Sequence, residues 1–203
     1  MDGLLIDSEP LWWRVEKAFA AQHGKVWTDA QAEQCVGTGL PNAVRAITRE
    51  LDIAIDQGDG VRWLVDTFIA RIDELALQPG ATALLAAARG QRKLALATSS
   101  TARLMDAVMQ RFADIAGCFD TKLNGDDVSN SKPAPDIFLL AAARLGCAPE
   151  DCVVLEDSIA GVQAGIAAGM QVIAVPEYGR ERFTSLDAAV VDDLHQARTL
   201  LGM

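Results

Sequence analysis

The chain of 203 residues is short of histidine, aromatic side chains, positive charge and long apolar runs, and each shortage removes a class of function. Its two histidines, His23 and His195, stand far apart, so neither a histidine-rich metal site nor a Ser-His-Asp triad is expected. No stretch has the length or purity of a transmembrane helix, and none reads as a signal peptide. Lysine and arginine total 18 against 28 acids, a net charge of −10, which disfavours nucleic acid and anionic membranes as partners. The four cysteines, Cys35, Cys118, Cys147 and Cys152, include no C-x-x-C pair. They read as reduced thiols, and the expected setting is the cytoplasm. Internal repeats and low-complexity segments are also lacking.

What is present suits one sizeable domain, or one domain with an insertion. Residues from about Pro10 to Leu77 read as helices. "PLWWRVEKAFAAQHG" sets Leu11, Val15, Ala18 and Phe19 on one stripe and stops at Gly24. "TDAQAEQCVG" offers Thr28 or Asp29 as an N-cap. "LPNAVRAITRELDI" and "VRWLVDTFIARIDELAL" are amphipathic at helical spacing, and the "QGDG" between them reads as a turn. No alternating strand is visible in this region.

The character changes at Gln78–Gly80, after which helices alternate with short apolar runs. "KLALATSS", "CVVLEDS" and "QVIAVP" read as buried strands. This alternation predicts an α/β fold with a doubly wound, Rossmann-like parallel sheet. The small residues of "AGVQAGIAAG" would let that helix lie close on the sheet.

Ligands of such sheets bind at the carboxyl ends of the strands. Thr98, Ser99 and Ser100 follow "LALA"; Glu156 and Asp157 follow "VVL". Lys132 lies in the loop "NSKPAPD". The hydroxyls also suit a helix cap, and a lone lysine is usually solvated. Adjacent acids at the end of a buried strand, by contrast, need a compensating cation. Together these groups suggest phosphoryl chemistry. Carboxylates can hold Mg²⁺, a hydroxyl can take phosphate oxygens, and a lysine can offset charge. A phosphate about 4 Å from a carboxylate is repelled by ~4 kcal/mol at an effective dielectric of ~20, so the cations are required.

The ordered motifs "DGLLIDSEP", "LATSS", "SKPAPDIF" and "VVLEDSIAGVQAGIAAGM" resemble the haloacid dehalogenase-like hydrolases, in the phosphatase and beta-phosphoglucomutase branch with a helical cap. The resemblance covers essentially the whole chain. It implies a core of residues 1–8 and 79–203 and a cap of 9–78. It makes Asp2 the second Asp of the first motif, the general acid/base, whose backbone carbonyl helps hold Mg²⁺. Thr98, with Ser99 beside it, becomes the phosphate-binding hydroxyl and Lys132 the charge-neutralising lysine. Asp157 becomes the direct metal ligand and Glu156 a nearby metal-site acid. The nucleophilic Asp would stand immediately before Met1, at the end of a first core strand. The expectation is therefore that this strand is missing from the sequence. A natural pseudoenzyme that only binds phosphate is the alternative.

The cap is expected to select the substrate, with Thr38 in a specificity loop, Gly37–Thr38–Gly39, although an ordinary turn fits as well. Beta-phosphoglucomutases carry a hinge histidine where this chain has Trp12, which weighs against a phosphosugar mutase. The resemblance points to a Mg²⁺-dependent phosphatase of a small phosphorylated metabolite, nearest to sugar-phosphate phosphatases of the 2-deoxyglucose 6-phosphate kind. A monomer or weak dimer is expected.

Overall fold

A computed structural model describes all 203 residues. The chain divides into two compact units, Ser8–Leu75 and the combination of Met1–Asp7 with Ala76–Met203. No helix is long and apolar enough to cross a membrane.

The first unit is helical, built from α1 (Glu9–Gln22), α2 (Asp29–Glu33), α3 (Leu40–Leu51) and α4 (Gln57–Ala70). The apolar stripe of α1 is buried at Leu11, Val15 and Phe19, and Trp12 stacks on Phe68 of α4 with ring centroids 4.0 Å apart. Thr28 caps α2 through a capping box with Gln31, satisfying backbone donors that the helix start would leave open. The "QGDG" segment is not a turn. Asp56 accepts the N–H groups of Gly58 and Asp59, so these glycines form the first turn of α4. A Cβ on Gly60 would lie 2.7 Å from Val44 Cγ1, so the glycine is set by how closely α3 and α4 pack. That demand is non-local, and composition alone could not separate it from turn chemistry.

The second unit holds seven short strands and six helices. β1 (Ile6–Asp7) pairs antiparallel with β2 (Ala76–Leu77), which lies where helix alone was expected. The chain then runs through α5 (Ala81–Ala88), β3 (Ala95–Ala97), α6 (Ala102–Arg111), α7 (Ala113–Ala116) and β4 (Thr121–Leu123). It continues through α8 (Asp136–Leu145), β5 (Val153–Glu156), α9 (Ile159–Ala167), β6 (Gln171–Ala174), β7 (Ala189–Val190) and α10 (Leu194–Leu200). The α/β class with parallel strands is as expected, but the sheet is not continuous. β3 and β4 form one parallel pair, and β5, β6 and β7 form a separate parallel sheet in that order. No ladder joins β3 to β5. The core below the strands is apolar, with Leu123, Phe138, Val162 and Ala174 among its buried members.

Candidate active site

β3 ends at Ala97 and β5 ends at Glu156, and the polar residues just past these ends share one neighbourhood. Thr98 is buried, 3% exposed, and its Oγ1 accepts the Ser100 N–H at 3.1 Å. Its backbone N–H donates to the Leu123 carbonyl at 3.0 Å, extending the β3–β4 ladder by one bond. The next helix, α6, has Thr101 at its N-cap and no side-chain cap bond, so the hydroxyls of Thr98, Ser99 and Ser100 do not serve as its cap. Ser99 is exposed.

Ser100 Oγ donates to Asp2 Oδ2 at 2.8 Å, joining residues 98 positions apart in sequence. Gly3 touches the other strand end, since a Cβ there would lie 2.3 Å from Asp157 Oδ2. Met1–Gly3 therefore runs between the carboxyl ends of β3 and β5, and Asp2 stands among the groups it was expected to join. A turn holds this segment, with the N–H groups of Leu5 and Ile6 donating to the Met1 carbonyl at 2.8 and 3.2 Å. Gln78 Nε2 also donates to the Gly3 carbonyl at 3.1 Å.

Lys132 spans the same gap. Its Nζ donates to the Ala97 carbonyl at 3.3 Å, forms an ion pair with Glu156 Oε1, and lies 4.7 Å from the centre of the Phe138 ring. The Lys132 and Glu156 side chains are only 8% and 7% exposed. The lysine is therefore buried and paired and not solvated, and removing either partner would leave an uncompensated buried charge. Glu156 Oε2 also accepts from Ser158 Oγ at 3.1 Å, and that hydroxyl caps α9 by accepting the Gly161 N–H at 3.1 Å. α9 approaches so closely that a Cβ on Gly161 would fall 2.1 Å from Glu156 Cδ.

The two acids titrate in opposite directions. Burial by itself would raise Glu156, but the Lys132 charge and the bonds from Lys132 and Ser158 hold it below the usual carboxylate range. Asp157 is pushed up, first by desolvation and then by the neighbouring Glu156 charge. Lys132 is committed to Glu156, so Asp157 has no side-chain cation of its own.

The expected metal acids do not converge as a cage, and no group of three His, Cys, Asp or Glu residues is placed to hold a metal ion. Glu156 is engaged by Lys132 and Ser158, and Asp2 by Ser100. Asp157 and the backbone beside Gly3 meet at the end of β5. One carboxylate and a carbonyl are hard oxygen donors, the kind Mg²⁺ takes while keeping water and substrate phosphate in its other positions. The donor chemistry fits that ion. Thr38 belongs to the helical unit, where its Oγ1 donates to the Cys35 carbonyl at 2.7 Å and its own carbonyl accepts from Asn42.

Ser158 and Gln78 were not singled out from sequence as site residues, and Ser100 was named only as part of the run Thr98–Ser100. Ser100 carried a signal, a hydroxyl two places beyond Thr98. Ser158 carried a weaker one, as a cap residue beside two acids. Gln78 carried none.

The chain as a whole is similar to known proteins. The chain is 31% identical over 193 residues to a bifunctional riboflavin kinase/FMN phosphatase of Arabidopsis thaliana, spanning 94% of this chain but only about half, 51%, of that relative. It is 33% identical over 185 residues to a phosphorylated carbohydrates phosphatase of Thermotoga maritima, covering 84% of this chain and 80% of that one. Among solved structures, CbbY of Rhodobacter sphaeroides in complex with phosphate superposes with a TM-score of 0.83 at 30% identity, over 96% of this chain and 92% of that one. The model of the haloacid dehalogenase-like hydrolases matches residues 1–169. With its motifs gathered at the strand ends and that match over most of its length, the chain belongs to the haloacid dehalogenase-like hydrolase family.

Proposed function

We propose that the protein is a Mg²⁺-dependent phosphatase of a small phosphorylated metabolite, a sugar phosphate foremost, acting through an aspartyl-phosphate. One observation carries the reading. Asp2, Thr98, Lys132 and the Glu156–Asp157 pair converge between two strand ends, though sequence scatters them from position 2 to 157. Relatives named as phosphatases of FMN and of phosphorylated carbohydrates support the substrate class.

In this reading Thr98 and Ser99 take phosphate oxygens, and Lys132 balances the charge gathered there. Ser100 fixes Asp2, which protonates the leaving oxygen and later takes a proton from the attacking water. The resemblance assigns the attack on phosphorus to an aspartate that ends the first core strand of the family. Asp157 and the Asp2 backbone carbonyl would hold Mg²⁺, which would supply charge neutralisation to the phosphoryl oxygens. The helical unit is the cap, with Thr38 as a substrate contact. A mutase is disfavoured by Trp12, which is 8% exposed, stacked on Phe68 and offers no imidazole for proton transfer.

The test is phosphate release from a panel of sugar phosphates, with and without Mg²⁺. It uses protein carrying an upstream strand that ends in Asp, beside its Asp157→Asn variant. Turnover that needs Mg²⁺ and is nearly abolished by Asp157→Asn is expected. Glu156→Gln should retain more activity at equal folded concentration, since acids beside a ligand often cost only ~10–100-fold. Equal turnover by wild type and Asp157→Asn would sink the metal assignment, and no release from any phosphomonoester would sink the function.

A further inference from the structure

Gly3 meets two requirements that pull against each other. It is buried, its φ is +67°, and a Cβ there would lie 2.3 Å from Asp157 Oδ2, so a side chain is excluded. The same lack of a side chain gives its backbone more freedom than any other residue has. Yet the proposed function needs the peptide between Asp2 and Gly3 to hold its carbonyl steady for a metal ion. Order that Gly3 does not supply has to come from its neighbours.

On one side Ser100 Oγ holds the Asp2 carboxylate at 2.8 Å. On the other, Gln78 Nε2 donates to the Gly3 carbonyl at 3.1 Å, across 75 positions of sequence. Gln78 is itself well anchored. Its backbone N–H donates to the Leu5 carbonyl at 3.0 Å, and its own carbonyl accepts the Ala81 N–H at 3.0 Å. A primary amide carries two hydrogens, and Nε2 also lies 3.3 Å from Glu177 Oε2. Two places on, Gly80 (φ +88°) packs against α10 so closely that a Cβ would fall 2.9 Å from the His195 backbone nitrogen. The segment that carries Gln78 therefore has little room to drift.

We propose that Gln78 is a positioning residue for the metal site, fixing the Asp2–Gly3 peptide through the Gly3 carbonyl without touching ion or substrate. This rests on the reading of Asp157 and the Asp2 carbonyl as the groups that hold Mg²⁺. The torsions that swing the Asp2 carbonyl are ψ of Asp2 and φ of Gly3, and the bonds from Ser100 and Gln78 grip the chain on both sides of them. A neutral amide suits the task. It satisfies a carbonyl and a carboxylate at once, and it adds no positive charge beside a site meant for a cation. Groups that orient metal ligands in this way typically account for about 10–100-fold of the affinity.

The experiment compares the protein used in the turnover test with its Gln78→Met and Gln78→Asn variants. The first keeps the length of the side chain and loses the donor; the second keeps the amide on a shorter stem. Backbone ¹⁵N relaxation at Gly3 is read without metal, and Mg²⁺ affinity by calorimetry with inorganic phosphate present. In both variants the Gly3 order parameter should fall from about 0.85, typical of rigid backbone, toward about 0.6. Mg²⁺ should bind about tenfold more weakly or worse, with little change in the urea midpoint of the metal-free protein. A merely structural role would shift the midpoint and leave Gly3 as ordered as before. Gly3 equally ordered in wild type and both variants would overturn the proposal, whatever the metal does. So would a loosened Gly3 with unchanged Mg²⁺ affinity. A wild type that binds no Mg²⁺ would overturn the metal reading itself, and this role with it.

Discussion

Two buried glutamates, one in each unit, show how the same side chain is accommodated in opposite ways. Glu16, on α1 of the helical unit, is 4% exposed and accepts a bond from Trp27 Nε1 at 3.1 Å. Glu156 is 5% exposed but has a lysine, a serine hydroxyl and a helix N-terminus around it. Desolvation raises the Glu16 carboxyl from 4.5 to about 7, only partly offset by the Trp27 bond. Glu156 suffers the same desolvation and still ends low, because Lys132 supplies an opposite charge. Burial sets the cost, and the partner decides the protonation state.

The largest effect should come from removing the partner. Lys132→Met removes the charge that offsets buried Glu156, and breaking a buried pair costs about 3–5 kcal/mol. Loss of kcat/KM and loss of stability are therefore expected together, read by steady-state kinetics and urea unfolding. With its side chain only 8% exposed, Lys132 is part of the fold as well as of the site. A variant that loses turnover at unchanged stability would show that the pair contributes nothing to the fold.

The same substitution at the two glutamates should act in opposite directions. Glu156→Gln strands Lys132 and destabilises. Glu16→Gln keeps an acceptor for Trp27 and removes the desolvation cost, so it should stabilise. Between about 4.5 and about 7 the unfolded chain has released the Glu16 proton while the folded chain retains it. Stability from this group therefore falls as pH rises through that window and stays low above it. The gain from Glu16→Gln should be near zero at pH 4 and reach about 3 kcal/mol at pH 8. Chemical denaturation of wild type and variant across that range is the measurement, and a gain independent of pH would show that Glu16 is not the titrating group.

A smaller effect is expected away from charge altogether. Gly60→Ala should destabilise the helical unit by about 1–3 kcal/mol through its contact with Val44, despite the better helix propensity of alanine. The double change Gly60→Ala with Val44→Ala should recover part of that loss. Stabilisation by the single change would mean that α3 and α4 separate without cost.

Legibility in the sequence followed the range of the interaction. Glu156 and Asp157 were readable because two acids closing an apolar run is a local conflict, and Thr98 because a hydroxyl ends another. The pairings were not readable: Lys132 reaches 24 positions along the chain, Ser100 reaches 98, and Gly60 answers to Val44 on another helix. β1 and β2, at two residues each, are too short to show any period. The order of β5, β6 and β7 was equally hidden, since strand order leaves no mark in a run of valines and leucines.

The ribbon of β1 and β2 has a further consequence. Ile6 faces Leu77 and Asp7 faces Ala76, so the chain leaves the α/β unit and returns to it at paired positions. Bringing the ends of an insertion together costs little more as it lengthens, only ~0.6 kcal/mol for each doubling of a flexible segment. The ribbon fixes those ends whatever lies between them. Ser8–Leu75 is in this sense a graft on a two-rung stem. Trimming it, enlarging it or exchanging it for another fold would leave every rung in place, and a tight turn joining Asp7 to Ala76 would close the same stem.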